Sequence, residues 1–230
     1  MTDACNDPVI LDQWHPLAWV KEIDAGLVHE TLLLDHRISY AKDKGGALHV
    51  WHKTPRLPHK AAFEPADITA NLPIRHEHGY LWTCLGVPPA HLFDVPEFEE
   101  ADRQNVYAGS FGVNVSTGRT VENFLDMGHF PFVHTGILGE EPHTEVKEYD
   151  VELSMERDEI LATRCRFFQP QASLASKSGA EVEYVYRVPH INCALLYKSS
   201  PGYEDEGRMD VIYIFLQPMS REWTCAHTGM

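Results

Sequence analysis

The sequence predicts an α+β fold in which a curved antiparallel sheet holds one helix. Residues 117–128 have helical character, because Val121, Phe124 and Leu125 lie at i, i+3 and i+4. Five segments with β character follow it: residues 144–157, 159–168, 180–190, 192–199 and 208–219. Turn residues separate several of them: Gly179, Pro189-His190 and Pro201-Gly202. A run of strands after one helix is typical of α+β domains.

The first hundred residues predict a smaller set of strands. Three short strands are expected in residues 27–52, with a turn at Gly45-Gly46. Residues 53–71 are rich in proline and charge and predict a connecting loop. Two strand-like pieces follow in residues 72–86, hinged at His78-Gly79. We therefore predict a β-rich domain over residues 1–95 and a second domain over residues 96–230, which opens with a strand near residue 106.

The composition is that of an acidic globular protein. The 230 residues include 34 acidic and 19 basic side chains, for a formal net charge of −15. Nucleic acids and anionic membranes are bound through Lys and Arg, so neither is expected as a partner. The N-terminus shows no basic and then apolar leader, and the five cysteines are scattered without a C-x-x-C pair. These features predict a cytoplasmic location.

One stretch, "ENFLDMGHFPFVHTG" at residues 122–136, places a carboxylate and two imidazoles close together. On a straight helix His129 and His134 would diverge by roughly 140° and could not share a metal. Pro131 predicts that the helix ends or kinks at residues 128–130, so that His134 returns towards His129 on its last turn. Asp126, three residues before His129, can then hydrogen-bond an imidazole. Two imidazoles and a carboxylate form the facial triad of non-haem Fe(II), although from spacing alone two histidines in a histidine-rich chain are more often unligated than metal-bound.

The same stretch resembles the iron motif of the Rieske non-haem iron oxygenase α subunits, E-N-x-x-D-x-x-H-x-x-x-x-H. The segments "WHPLAWVKEI", "LLLDHRISYAKDKGGALHVWH" and "LPIRHEHGYLWTCLG" occur in the family's order, so the resemblance covers nearly the whole chain. It implies a helix-grip (START-like) catalytic domain with Fe(II) held by His129 and His134. It also implies that Asp126 links the iron site to the incoming electron carrier and that Asn123 lies near the metal.

Two departures from the family pattern shape the expectation. The family's N-terminal domain binds a [2Fe–2S] cluster through C-x-H and C-x-x-H, whereas residues 50–72 here contain no cysteine. We therefore expect no [2Fe–2S] cluster in this chain and interpret residues 1–95 as a reduced β remnant of a Rieske domain. The family's third iron ligand is an Asp on a C-terminal helix, and no residue here corresponds to it. A catalytic domain truncated at its C-terminus, and of uncertain activity, is expected; otherwise Glu140, Glu141 or Asp210 would complete the site.

Within the family, the absence of the cluster motif makes this chain similar to the methylxanthine 7-N-demethylase subunits. The resemblance implies O₂-dependent removal of an N7-methyl group as formaldehyde, with electrons from a separate Rieske-bearing reductase that oxidises NADH. It leaves open assembly with itself or with an accessory subunit. One alternative is an O-demethylase or ring hydroxylase of an aromatic acid, which would need an inward Arg; Arg164, Arg166 and Arg187 are the candidates. Another alternative is a non-catalytic structural subunit or a ligand-binding helix-grip protein.

Overall fold

A computed structural model describes residues 4–172, 178–200 and 208–230. Three short helices occur in these residues: α1 (Pro8–Leu11), α2 (Thr117–Leu125) and α3 (Phe130–Val133). Thirteen strands accompany them: β1 (His15–Trp19), β2 (His29–Leu33), β3 (His36–Lys42), β4 (Leu48–His52), β5 (Ile74–Glu77), β6 (Tyr80–Thr83), β7 (Tyr107–Val113), β8 (Asp150–Ser154), β9 (Glu159–Gln169), β10 (Ala180–His190), β11 (Cys193–Ser199), β12 (Met209–Pro218) and β13 (Thr224–Gly229). Within the described ranges, each helix is too short to span a membrane.

The N-terminal strands form two antiparallel three-stranded sheets. Their strand orders are β1-β6-β5 and β2-β3-β4. The predicted hinge between β5 and β6 is confirmed, because His78 and Gly79 both have positive φ, at 52° and 76°. Gly79 is also required for space, since a Cβ there would lie 2.1 Å from the ring of Trp19. Any side chain at position 79 would therefore displace the indole of Trp19.

The remaining strands form one seven-stranded antiparallel sheet with the order β7-β13-β12-β11-β10-β9-β8. The five predicted segments correspond to β8 through β12, although β8 begins only at Asp150 and residues 144–149 are irregular. Alternation explains the strand character, because Val182, Tyr184 and Tyr186 are buried on β10. A register shift between β9 and β10, beside the positive φ of 60° at Arg164, marks a bulge that bends and twists the pair. The predicted turn at Pro201-Gly202 lies outside the described residues.

Two strands and several short helical turns were not expected from the sequence. Strand β13, "TCAHTG", lacks a strong β signal but lies between β7 and β12 in the sheet, so neighbouring strands rather than propensity determine it. Strand β1 contains Pro16, which is tolerated because β1 lies at the edge of its sheet and its pairing with β6 is irregular between Pro16 and Ala18. The predicted loop at residues 53–71 contains a 3₁₀ turn, Pro65–Asp67, closed by reciprocal capping between Glu64 and Asp67.

The chain divides into two compact units. The first comprises residues 1–100, 107–117 and 215–227, and the second comprises residues 101–106, 118–214 and 228–230. The first has an aliphatic core that includes Leu17, Ile38, Val50 and Leu81. The second has a core in which α2, α3 and the following turns pack against β9 to β12, and it contains all the candidate site residues. The domain boundary at residues 95 and 96 stays a prediction.

Candidate metal centre

Helix α2 ends earlier than the sequence suggested. Its last residue is Leu125, so the expectation that it runs to residues 128–130 and carries His129 on its last turn is wrong. The backbone N–H of Gly128 donates to Oδ1 of Asp126 at 2.8 Å, which closes a local turn in place of the next helical hydrogen bonds. Pro131 plays another part: it lies in the first turn of α3, a position that proline tolerates.

The one-turn helix α3 brings the two histidines together. His129 is its N-cap and His134 is its C-cap, so the pair flanks the four helical residues. The carbonyl of His129 accepts hydrogen bonds from the backbone N–H groups of Phe132 at 3.1 Å and Val133 at 2.8 Å. The ring centroids of His129 and His134 lie 5.1 Å apart, at an interplanar angle of 61°. Because the chain does not continue as a straight helix here, the imidazoles of His129 and His134 converge; on a straight helix they would point apart.

Asp126 fixes the orientation of His129. Its Oδ2 lies 3.2 Å from Nδ1 of His129, while its side chain remains 55% exposed and that of the histidine is only 15% exposed. An ionised carboxylate only accepts hydrogen bonds, so Nδ1 of a neutral His129 carries the proton and donates it. The lone pair is then on Nε2, the arrangement in which an imidazole can bind a metal while a carboxylate holds its other nitrogen.

The other predicted site residue, Asn123, lies on the last turn of α2. It is exposed, and no contact that the structure describes joins it to either histidine. Its position three residues before Asp126 is compatible with proximity to a metal, but its role stays a prediction.

The donor set fits part of a non-haem iron site. Two imidazoles in an edge-on arrangement, one of them oriented by a carboxylate, match the nitrogen donors of a facial triad. Within the described ranges, however, no three His, Cys, Asp or Glu side chains are grouped as a complete metal site. Of the three candidates for a third ligand, Asp210 accepts a hydrogen bond from Ser200, Glu140 is half-buried and Glu141 is exposed. The assignment of a third ligand stays a prediction.

The backbone of α3 packs closely against Gly139, a residue that belongs to no motif in the sequence. A Cβ at Gly139 would lie 2.8 Å from the backbone nitrogen of Pro131 and 3.1 Å from the carbonyl carbon of Phe130. Phe130 is buried between this turn and the sheet, with its ring centroid 5.6 Å from that of Phe167. Gly139 is one of 15 glycines in the sequence, so its role could not be inferred without knowledge of the packing.

We expect Gly139→Ala to push α3 away from its seat and disturb both histidines. Overpacking against a fixed backbone costs about 1–3 kcal/mol of unfolding free energy. Fe(II) affinity should fall with it, measured by titration with a competing chelator. Gly118→Ala is the matched control, because a Cβ there meets nothing within 4 Å and alanine favours the helix. Equal iron affinity in the two variants would contradict the role of Gly139.

We expect Asp126→Asn to weaken rather than remove the metal site. Asparagine retains an oxygen that can accept from Gly128, but its neutral amide no longer fixes the tautomer of His129. Loss of such a supporting carboxylate typically costs about 10- to 100-fold in metal affinity or activity. Glu122→Gln is the control, since this exposed carboxylate pairs with Arg119 on α2 instead. Unchanged affinity and turnover in Asp126→Asn would contradict the orienting role.

Comparison with known proteins identifies the family. The family profile "Vanillate O-demethylase oxygenase C-terminal domain" matches residues 113–230. The "Probable methylxanthine N7-demethylase NdmC" of Pseudomonas sp. (strain TJI-51) is 41% identical over 221 residues, which cover 96% of this chain and 73% of that protein. The chain belongs to the Rieske non-haem iron oxygenase family. The resemblance inferred from the iron motif is thereby confirmed, and the protein is an oxygenase enzyme.

Solved structures confirm the fold of this oxygenase. Dicamba monooxygenase bound to 3,6-dichlorosalicylic acid superposes with a TM-score of 0.76 at 14% identity, covering 96% of this chain and 77% of that one. Pseudomonas putida CBB5 NdmA with caffeine superposes with a TM-score of 0.67 at 14% identity, covering 95% and 73%. The predicted α+β helix-grip class with a curved sheet is therefore confirmed. Members of the family bind non-haem iron, as in a further structure of dicamba monooxygenase.

Proposed function

We propose that this oxygenase removes the N7-methyl group of a methylxanthine. The observation that carries the proposal is the 41% identity to a probable methylxanthine N7-demethylase over nearly the whole chain. The iron motif from Asn123 to His134 is complete in this chain, with Asp126 bonded to His129. In balanced form, O₂, two electrons and two protons convert N–CH₃ into N–CH₂OH and water. The C–N bond then breaks to give formaldehyde and the free N–H.

In this proposal His129 and His134 hold Fe(II), and Asp126 keeps Nε2 of His129 available for it. When bound, the non-haem iron supplies the activation of O₂. Phe130 and Pro131 are buried beneath the histidines and exclude water from that side of the site. The chain's own contribution is to fix the imidazoles, shield one side of the metal and position the methyl group.

The surroundings of α3 support electron delivery from outside the chain. Phe132 and Val133 are exposed on α3, and Asp126 is exposed beside His129. An external electron carrier could therefore approach the iron-binding residues directly. We propose that the carrier is a Rieske-bearing reductase that oxidises NADH, since we expect no [2Fe–2S] cluster in this chain. Assembly with a second copy or an accessory subunit belongs to the same proposal.

The arginines bear on the alternative, a demethylase or hydroxylase of an aromatic acid. Arg164 is exposed and paired with Asp150, and Arg166 is also exposed. Arg187 is buried, but Glu159 already neutralises it through two short hydrogen bonds of 2.8 and 3.0 Å to Oε2. These three candidates therefore do not offer a buried unpaired cation to a substrate carboxylate, which favours a neutral substrate such as a methylxanthine.

Competition between substrates tests the proposal. Fe(II)-loaded protein is incubated with NADH, O₂ and a Rieske-bearing reductase, in the presence of equal concentrations of 7-methylxanthine and vanillate. We expect formaldehyde in a one-to-one ratio with xanthine, and no loss of vanillate. Formaldehyde that accompanies vanillate demethylation would favour the aromatic-acid alternative. NADH consumption without formaldehyde from either compound would contradict demethylation altogether.

A further inference from the structure

Two tyrosines of β10 leave their hydroxyl groups buried without a partner. Tyr184 is 1% exposed and Tyr186 is 2% exposed. Within the described residues neither hydroxyl makes a hydrogen bond. The two residues lie at i and i+2 and both belong to the core formed by α2, α3 and the sheet, with ring centroids 6.2 Å apart. Two unpaired hydroxyls on one buried face are unusual, because such groups are normally satisfied.

Both tyrosines lie beside the segment that carries the histidines. The ring of Tyr184 lies 6.5 Å from that of Phe130, which directly follows His129. The ring of Tyr186 lies 6.3 Å from that of Phe124, on the last turn of α2. Burial, and after it the electrostatic influence of neighbours led by Tyr184, raise the pKa of Tyr186 well above its ordinary value. Burial also raises the pKa of Tyr184, so both phenols stay protonated and are available as donors at neutral pH.

The chemistry of these groups limits what they can bind. An unpaired buried hydroxyl destabilises the free protein. Replacement of both tyrosines by phenylalanine would remove the cost of burying these hydroxyls and would leave the packing of the rings unchanged. The two hydroxyl donors, which lie among apolar side chains, therefore suit a ligand that has two hydrogen-bond acceptors. The surrounding aromatic side chains suit a flat ring, which prefers stacked or edge-on contacts.

We propose that Tyr184 and Tyr186 donate hydrogen bonds to the two ring carbonyl oxygens of a neutral xanthine that enters between the α2–α3 segment and β10. The inference rests on the proposed function and deepens it, since it assigns substrate recognition to β10. Entry of the ring requires Phe124 and Phe130 to separate from the tyrosines they now contact. In this arrangement the tyrosines are specificity residues, and they take no part in holding the metal.

The test removes the hydroxyl groups from the protein and the carbonyl groups from the ligand in one set of measurements. Tyr184→Phe, Tyr186→Phe and the double variant are titrated by calorimetry with 7-methylxanthine and with 7-methylpurine, which lacks both carbonyls. We expect each substitution to weaken 7-methylxanthine binding by about 10-fold, the loss of one hydrogen bond, and to leave 7-methylpurine binding unchanged. Iron content should stay at the wild-type level. Tyr40→Phe, which removes the hydroxyl of a half-buried tyrosine of β3 in the other unit, is the control and should change neither affinity.

The outcomes separate this inference from the proposed function. Wild-type protein that binds and demethylates 7-methylxanthine, together with phenylalanine variants of unchanged affinity, overturns the role of the tyrosines alone. Equal weakening of both ligands overturns it as well, because it would indicate a damaged core. Wild-type protein that neither binds nor demethylates 7-methylxanthine overturns both proposals. Urea unfolding completes the test: the free variants should be at least as stable as the wild type, and a clear loss of stability would indicate hydroxyl bonds within the protein.

Discussion

Loss of Fe(II) binding is the expected result of replacing either His129 or His134 with alanine. Each imidazole would supply one of only two nitrogen donors at the site, and the described residues include no third grouped donor to compensate. A facial site that loses one of its protein ligands no longer holds the ion against solvent and buffer. Iron per chain after desalting, determined colorimetrically, is the measurement. We expect a fall of at least 100-fold in affinity in both variants.

A matched control is available on the same stretch of chain. The ring of His143 contacts that of Phe168, with centroids 4.2 Å apart at a tilt of 35°, and His143 is not part of the α3 pair. His143→Ala should therefore keep the iron of the wild-type protein. Equal iron retention in the His129, His134 and His143 variants would contradict the site. Loss of iron in the His143 variant alone would place the metal elsewhere.

The second large effect concerns a buried ion pair between the first residue of β9 and an arginine of β10. Glu159 and Arg187 are both buried, and the guanidinium Nε donates to Oε1 and Oε2 at 3.1 and 3.0 Å. Burial lowers the pKa of Arg187, but its hydrogen bonds to Glu159 and Tyr197 outweigh this effect and raise the pKa above its ordinary value. Arg187→Met should cost about 3–5 kcal/mol of unfolding free energy, because it leaves the buried Glu159 carboxylate with only the more distant and exposed Arg157, at 3.7 Å.

Urea denaturation of three variants measures this effect. Arg164→Met removes an exposed arginine paired with Asp150, and it should cost far less than Arg187→Met, because solvent screens exposed ion pairs. Glu159→Leu combined with Arg187→Met should be more stable than Arg187→Met alone, since both buried charges are then absent. A single Arg187→Met variant as stable as Arg164→Met would contradict the assignment of a buried, mutually dependent pair.

Much of the fold was predictable because periodicity reports directly on burial. The alternation in "EVEYVY" distinguishes the buried Tyr184 and Tyr186 from the exposed Glu181 and Glu183, and the strand is confirmed. Strand β13 was not predictable in this way. Its small and polar residues pair because β7 and β12 lie on either side, and that information is not present in the local sequence.

The candidate site shows a similar division. The spacing of Asp126 and His129 indicated their hydrogen bond, which the structure contains at 3.2 Å. The route was different, because a helical face was expected and a local turn closed by Gly128 was found. A side chain that hydrogen-bonds its own backbone competes with the helix, and the sequence pattern does not show which prevails. The support from Gly139 depends on tertiary packing and could not be read from spacing.

The most direct test of the central claim follows the methyl carbon itself. Xanthine labelled with ¹³C in its 7-methyl group is incubated with Fe(II)-loaded protein, NADH, O₂ and a Rieske-bearing reductase, and the label is followed by NMR. We predict that the wild-type protein transfers the label to formaldehyde and that His134→Ala leaves it in the methyl group. Label that stays in the methyl group with the wild-type protein, or that reaches formaldehyde equally with His134→Ala, would contradict an N7-demethylase built on this pair of histidines.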